Sequence, residues 1–106
     1  MAKKKVHVVF KDAEFVVDPP VVELQFQAGG ANDQLKLINR TDEDLVWSLE
    51  DPAAFGAAVL EIVRRKSISA AKSPQNVSGV FEYQVLMIKS GKKAKGNSDP
   101  VIIIEN

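Results

Sequence analysis

The sequence predicts an all-β domain built as a sandwich or barrel, and three features of its 106 residues point there. Short apolar runs alternate with period two, so each can bury one face and leave the other to solvent. Clusters of Pro, Gly, Asn and Asp separate these runs at regular spacing. A chain of this length also buries roughly two thirds of the surface its unfolded form exposes, which gives a core without disulfide staples.

Taken in order, Lys5 to Phe10 is valine-rich and reads as the first strand. Asp18-Pro19-Pro20 sets off a second run, Val21 to Phe26, because proline has no amide to give a ladder. In that run Val22, Leu24 and Phe26 share a face. Gln27 to Asp33, with Gly29-Gly30 and Asn32-Asp33, is a turn. Gln34 to Asn39 then places Leu35, Leu37 and Asn39 together, and after the polar loop 39–44 the run Leu45 to Leu49 aligns Leu45, Trp47 and Leu49.

The middle admits two readings. Asp51 can cap a short helix within residues 51–65, with Pro52 at its first position, Phe55, Val59, Ile62 and Val63 on one face and Arg64-Arg65-Lys66 at its C-terminus. Against this, Val59 to Val63 is rich in β-branched residues and alternates, with Leu60 and Ile62 opposite Val59, Glu61 and Val63, and Gly56 interrupts the helix. The preferred reading is a loop or short helical turn over 51–57 and a strand from about Ala58 to Lys66. Val80 to Ile88 follows as a long strand whose Phe81, Tyr83, Val85 and Met87 face the core. A lysine-rich loop, 89–99, leads to the last strand, Val101 to Ile104, which is apolar on both sides. With no repeat and no linker, residues 1–106 read as a single domain of about seven strands.

Composition narrows the chemistry. Zero cysteines remove disulfides, thiolate zinc sites, iron–sulfur clusters and thiol catalysis. A single histidine, His7, leaves little for general-base work, the serines have no evident base, and neither glycine-rich segment fits a phosphate-binding loop. The expectation is no enzyme and no cofactor. Fourteen basic residues balance fourteen acidic ones, with acid in excess in the first half and base in the second, which is too weak an asymmetry to name a nucleic acid. The basic start, Lys3-Lys4-Lys5, precedes an apolar run too short for a secretory signal, and no stretch could span a membrane, so a cytoplasmic location without membrane contact is expected. The triplets Asn39-Arg40-Thr41 and Asn76-Val77-Ser78 are read as turn chemistry.

The stretch Gly79-Val80-Phe81-Glu82-Tyr83-Gln84-Val85 resembles the cupredoxin signature, in which aromatics and a copper-ligating cysteine follow a glycine on the penultimate strand. Gln27-Ala28-Gly29-Gly30, the strand ending at Asn39 and the loop before Leu45-Val46-Trp47 are similar to the cupredoxin segment that supplies a histidine ligand. These motifs are shared in part with immunoglobulin-like sandwiches. The resemblance runs from about Phe15 onward and implies a Greek-key β-sandwich. It also implies that Val85 stands at the cysteine position and Asp44 about where the histidine would be. A blue-copper centre needs two imidazoles, a thiolate and a weak axial methionine. This chain has no cysteine, one histidine on its first strand and methionines only at Met1 and Met87, so it reads as a copper-free relative.

The function expected is a non-enzymatic binding or assembly module with a protein partner or a second copy of itself, using a loop cluster at one end or an edge strand. Val101 to Ile104 would invite pairing if it lies at an edge, and is ordinary core if it lies inside a sheet. Lys89, Lys92, Lys93 and Lys95 are the candidate binding residues, either for an anion or as a solvated loop that keeps two apolar strands soluble. An alternative is a calcium or zinc site at Asp42, Glu43 and Asp44, near Glu50 and Asp51 and with His7 as a further ligand, although it lacks the spacing and central glycine of a calcium loop. Trp47, Phe81 and Tyr83 are assigned to the core.

Overall fold

The computed structural model describes residues 3–29, 32–91, 93 and 100–105. Among them the chain forms β1 (Lys3–Lys11), β2 (Glu14–Asp18), β3 (Val21–Gln25), β4 (Gln34–Asn39), β5 (Leu45–Leu49), β6 (Val59–Val63), β7 (Gly79–Glu82), β8 (Gln84–Met87) and β9 (Val101–Glu105). The sheet orders are β2-β1-β4, β3-β9-β7 and β6-β5-β8. Only Tyr83 separates β7 from β8, and its amide donates to the Pro100 carbonyl at 3.0 Å. The second and third sheets therefore meet along one interrupted strand.

Alternation sets which side chains meet. Val6, Val8, Leu35 and Leu37 of the first sheet join Leu24, Ile102 and Ile104 of the second and Leu45, Trp47, Leu49, Val85 and Met87 of the third in one buried cluster. Each such side chain contributes roughly 1.5–3 kcal/mol by leaving water. Trp47 and Tyr83 meet edge to face at 6.1 Å. Lys72 closes the side of this pair, its Nζ lying 5.9 Å from the Trp47 ring centroid and 2.7 Å from Glu61 Oε1. Burial holds the Tyr83 phenol above its usual pKa range, since phenolate is costly out of water.

Trp47, Phe81 and Tyr83 thus lie in the core, as the alternation requires. Two open readings are resolved, the first in favour of the preferred loop and strand, and the strand count changes. Residues 51–65 contain no helix: a turn over 52–55, in which the Ala53 amide donates to Asp51 Oδ1 at 2.9 Å, leads through Gly56 at φ 84° into β6. The β-branched run wins because alternation buries Val59 and Val63 with the sheet. The last strand is not an edge, since β9 pairs with β3 on one side and β7 on the other, so its isoleucines are interior. And about seven strands become nine, because Val80 to Ile88 divides at Tyr83 and β2 adds a strand that pairs with β1.

The β1–β2 hairpin turns on Asp12 and Ala13, both at positive φ (52° and 62°). Two consecutive left-handed residues make a turn that favours Asn-Gly, and an alanine there carries a steric penalty of about 1–2 kcal/mol. Ala13→Gly relieves it, offset in part by the entropy of glycine, and should raise the unfolding free energy by about 0.5–1 kcal/mol in urea. A lower urea midpoint would contradict this turn.

Candidate functional site

The loops after β4, β6 and β8 come together at one end of the sandwich, where the resemblance to cupredoxins points. Asn39 organises them. It is the last residue of β4, faces inward with Leu35 and Leu37, and is 1% exposed. Its Nδ2 lies 2.8 Å from the Glu43 carbonyl and 3.1 Å from those of Val63 and Arg64, while Oδ1 accepts from the Thr41 amide (2.9 Å) and hydroxyl (2.7 Å). One carboxamide therefore ties the β4–β5 loop to the end of β6. The Asn39-Arg40-Thr41 triplet is turn chemistry, as its residue types suggested.

Outside this hub the charges are paired locally. Asp44 accepts from the Arg65 amide at 2.9 Å and meets the Arg64 guanidinium at 3.2 Å. The Arg65 amide first, and the Arg64 side chain after it, hold the Asp44 carboxyl below its ordinary pKa. Asp42 lies 3.5 Å from Lys66 Nζ. The Ile88 amide donates to the Asp44 carbonyl at 3.1 Å, which joins the end of β8 to the same loop. A cleft of about 550 Å³ runs between Asp44, Arg64, Arg65 and Lys89.

The metal-centre residues do not converge. The sequence has no cysteine, and Val85, which the resemblance places at the thiolate position, is 1% exposed on β8 opposite Trp47. His7 lies on β1 in another sheet, where its Nδ1 accepts from Arg40 Nε at 2.8 Å and is not free as a ligand. This donor set does not fit blue copper. Among the described residues no three of His, Cys, Asp and Glu gather, and Asp42 and Asp44 each face a cation. Glu50 and Asp51 lie beyond the opposite end of β5.

Of the candidate lysines, Lys89 is exposed beside the cleft and Lys93 bridges to Leu86 of β8. Lys92 and Lys95 lie outside the described residues.

A second surface feature was legible only in part. On the outer face of β6-β5-β8, Ile62, Val46 and Leu86 stand in one row across three strands. Leu60 (80% exposed), Ile62 (53%) and Ile88 (50%) extend this apolar area, and Val46 and Leu86 are half-buried. The signal was the placing of Leu60 and Ile62 opposite Val59 and Val63, and of Leu86 and Ile88 opposite the aromatic face. What alternation within one strand could not supply was the register that aligns them.

Two outcomes test this end of the molecule. Asn39→Ala removes the side-chain partner of the Thr41 amide and of the buried Val63 carbonyl and breaks the joint between the β4–β5 loop and the end of β6, and should lower the unfolding free energy by about 3 kcal/mol in urea, while a loss under about 1 kcal/mol would contradict the hub. Folding lowers the Asp44 pKa from 3.8, so its carboxylate stabilises the protein above that value and the contribution is lost as pH falls through the folded-state value. An NMR titration should place the Asp44 midpoint below 3.8, and Arg64→Ala should raise it only part of the way, because the Arg65 amide remains.

No protein-family model and no curated protein matches the chain. Solved structures of amicyanin do. A Cu(I) form of a methionine-to-alanine variant superposes with a TM-score of 0.60 at 10% identity, over 97% of this chain and 82% of that one. A reduced tryptophan-to-tyrosine variant gives 0.62 at 10% identity, over 98% and 83%. A reduced Cu(I) form at pH 4 of a proline-to-glycine variant gives 0.60 at 11%, over 99% and 84%. At such identity the likeness shows the fold alone: the chain is a cupredoxin-like β-sandwich that lacks the residues of a blue-copper centre.

Proposed function

We propose that this protein is a non-enzymatic binding or assembly module that uses the cupredoxin-like sandwich as a rigid support and docks another polypeptide on the outer face of β6-β5-β8. One observation carries the reading. Leu60, Ile62 and Ile88 are largely exposed beside Val46 and Leu86, so one sheet face presents adjoining apolar side chains across three strands. Scattered surface apolar residues are ordinary, whereas adjoining ones mark a surface that another molecule covers. The donor chemistry agrees, since the end that would hold copper carries Val85 and a salt-bridged Asp44. A rigid sheet suits such a task because its side chains are fixed before the partner arrives.

A photo-crosslinking side chain in place of Leu60, introduced in the native cell, should yield a specific covalent adduct. The same group in place of Glu23, exposed on β3 at the far side of the fold, should yield none. No adduct at Leu60, or equal adducts at both positions, would overturn the reading.

A further inference from the structure

The partner that this face fits is a second copy of the chain. This rests on the docking reading above and commits it to one occupant. β6 is an edge: among the described residues it pairs with β5 on one side and with no strand on the other. Edge strands are ordinarily blunted by lysine, proline or a bulge. β2 is bounded by Glu14 and Asp18, and β3 follows Pro19-Pro20 and carries Glu23 at its centre. β6 has none of these on its outer face. Its one charge, Glu61, points inward, where it meets Lys72 Nζ at 2.7 Å and accepts from the Ala70 amide at 3.2 Å.

The strand is also self-complementary. Val59-Leu60-Glu61-Ile62-Val63 reads alike in size and polarity from either end. In a two-fold antiparallel pair centred on Glu61, Leu60 of one copy stands directly opposite Ile62 of the other, on the outer face of both, and the apolar area continues across the joint. Two-fold interfaces require such self-complementarity. The two Glu61 carboxylates approach as members of two Glu61–Lys72 pairs, which lessens their repulsion.

We infer that the protein forms a two-fold dimer by antiparallel pairing of β6 with β6 of a second copy. The joint is shorter than the roughly 1,200 Å² interfaces of tight complexes, so the dimer should depend on concentration. In sedimentation equilibrium the mass should rise from the 11.6 kDa of the chain toward twice that value with concentration. Leu60→Lys, at a position 80% exposed and safe for folding, should hold it at the single-chain mass, whereas Val80→Lys on β7 should leave the dimer intact.

Register is tested separately, aided by the absence of native cysteine. Under mild oxidation a mixture of Leu60→Cys and Ile62→Cys chains should give a mixed disulfide several-fold more abundant than either single variant gives alone. A single-chain mass at millimolar concentration, or a dimer unaffected by Leu60→Lys, overturns the inference. If the Leu60 photo-adduct of the preceding test contains a different protein while the chain stays single, self-pairing falls and the docking reading stands.

Discussion

The carboxamide of Asn39 is where three loops of this protein become one surface. Five polar atoms of Thr41, Glu43, Val63 and Arg64 converge on it, and it is nearly enclosed by the core. A buried amide with so many partners carries a heavy desolvation cost if any is withdrawn, which fixes the β4–β5 loop against the end of β6. Once that joint is set, the Arg65 amide and Arg64 side chain have Asp44 in reach, and Asp44 in turn receives the end of β8 through its carbonyl. The loop end is thus closed by hydrogen bonds and an ion pair. The same fold in a copper protein would present donor atoms to a metal here, and the difference lies in side chains, not in architecture.

Much of the fold was legible because alternation within a strand is a local property. The inward sets Leu35-Leu37-Asn39, Leu45-Trp47-Leu49 and Phe81-Tyr83-Val85-Met87 lie on the buried side as their spacing requires. β2 is not legible in the sequence for a physical reason: Asp12-Ala13 lacks the glycine or asparagine that usually announces a turn of positive φ. The division at Tyr83 carries no punctuation either, since it arises from a change of partner. β7 lies against β9 and β8 against β5, and the sequence between them alternates without a break. Whether Val101 to Ile104 is edge or interior likewise depends on β3 and β7, which are distant in sequence.

The candidate site divides in the same way. Asn39 stood on the right face, but beside the local Thr41 and Glu43 its partners include Val63 of β6 and Arg64 of the following turn, which no spacing rule connects to it. The acidic run 42–44 suggested cation binding by composition, and in the fold its aspartates meet the chain's own Lys66 and Arg64. The outer apolar face needed the β5 register, which places Val46 between Ile62 and Leu86. Charge and alternation were readable, whereas adjacency across strands was not.

The buried position of Asn39 has a consequence for modification. Asn39-Arg40-Thr41 fits the acceptor triplet for N-linked sugar, and the nitrogen that would bear the sugar is the one facing three carbonyls inside the protein. A glycan at that atom and the native loop end cannot coexist, because the sugar would replace one of the two N–H groups of the amide and has no room among the three carbonyls around it. In a host that glycosylates nascent chains, attachment before folding would commit a molecule to a non-native state, and folding first would shield it for good. Occupancy at this triplet would then record which of the two events came first.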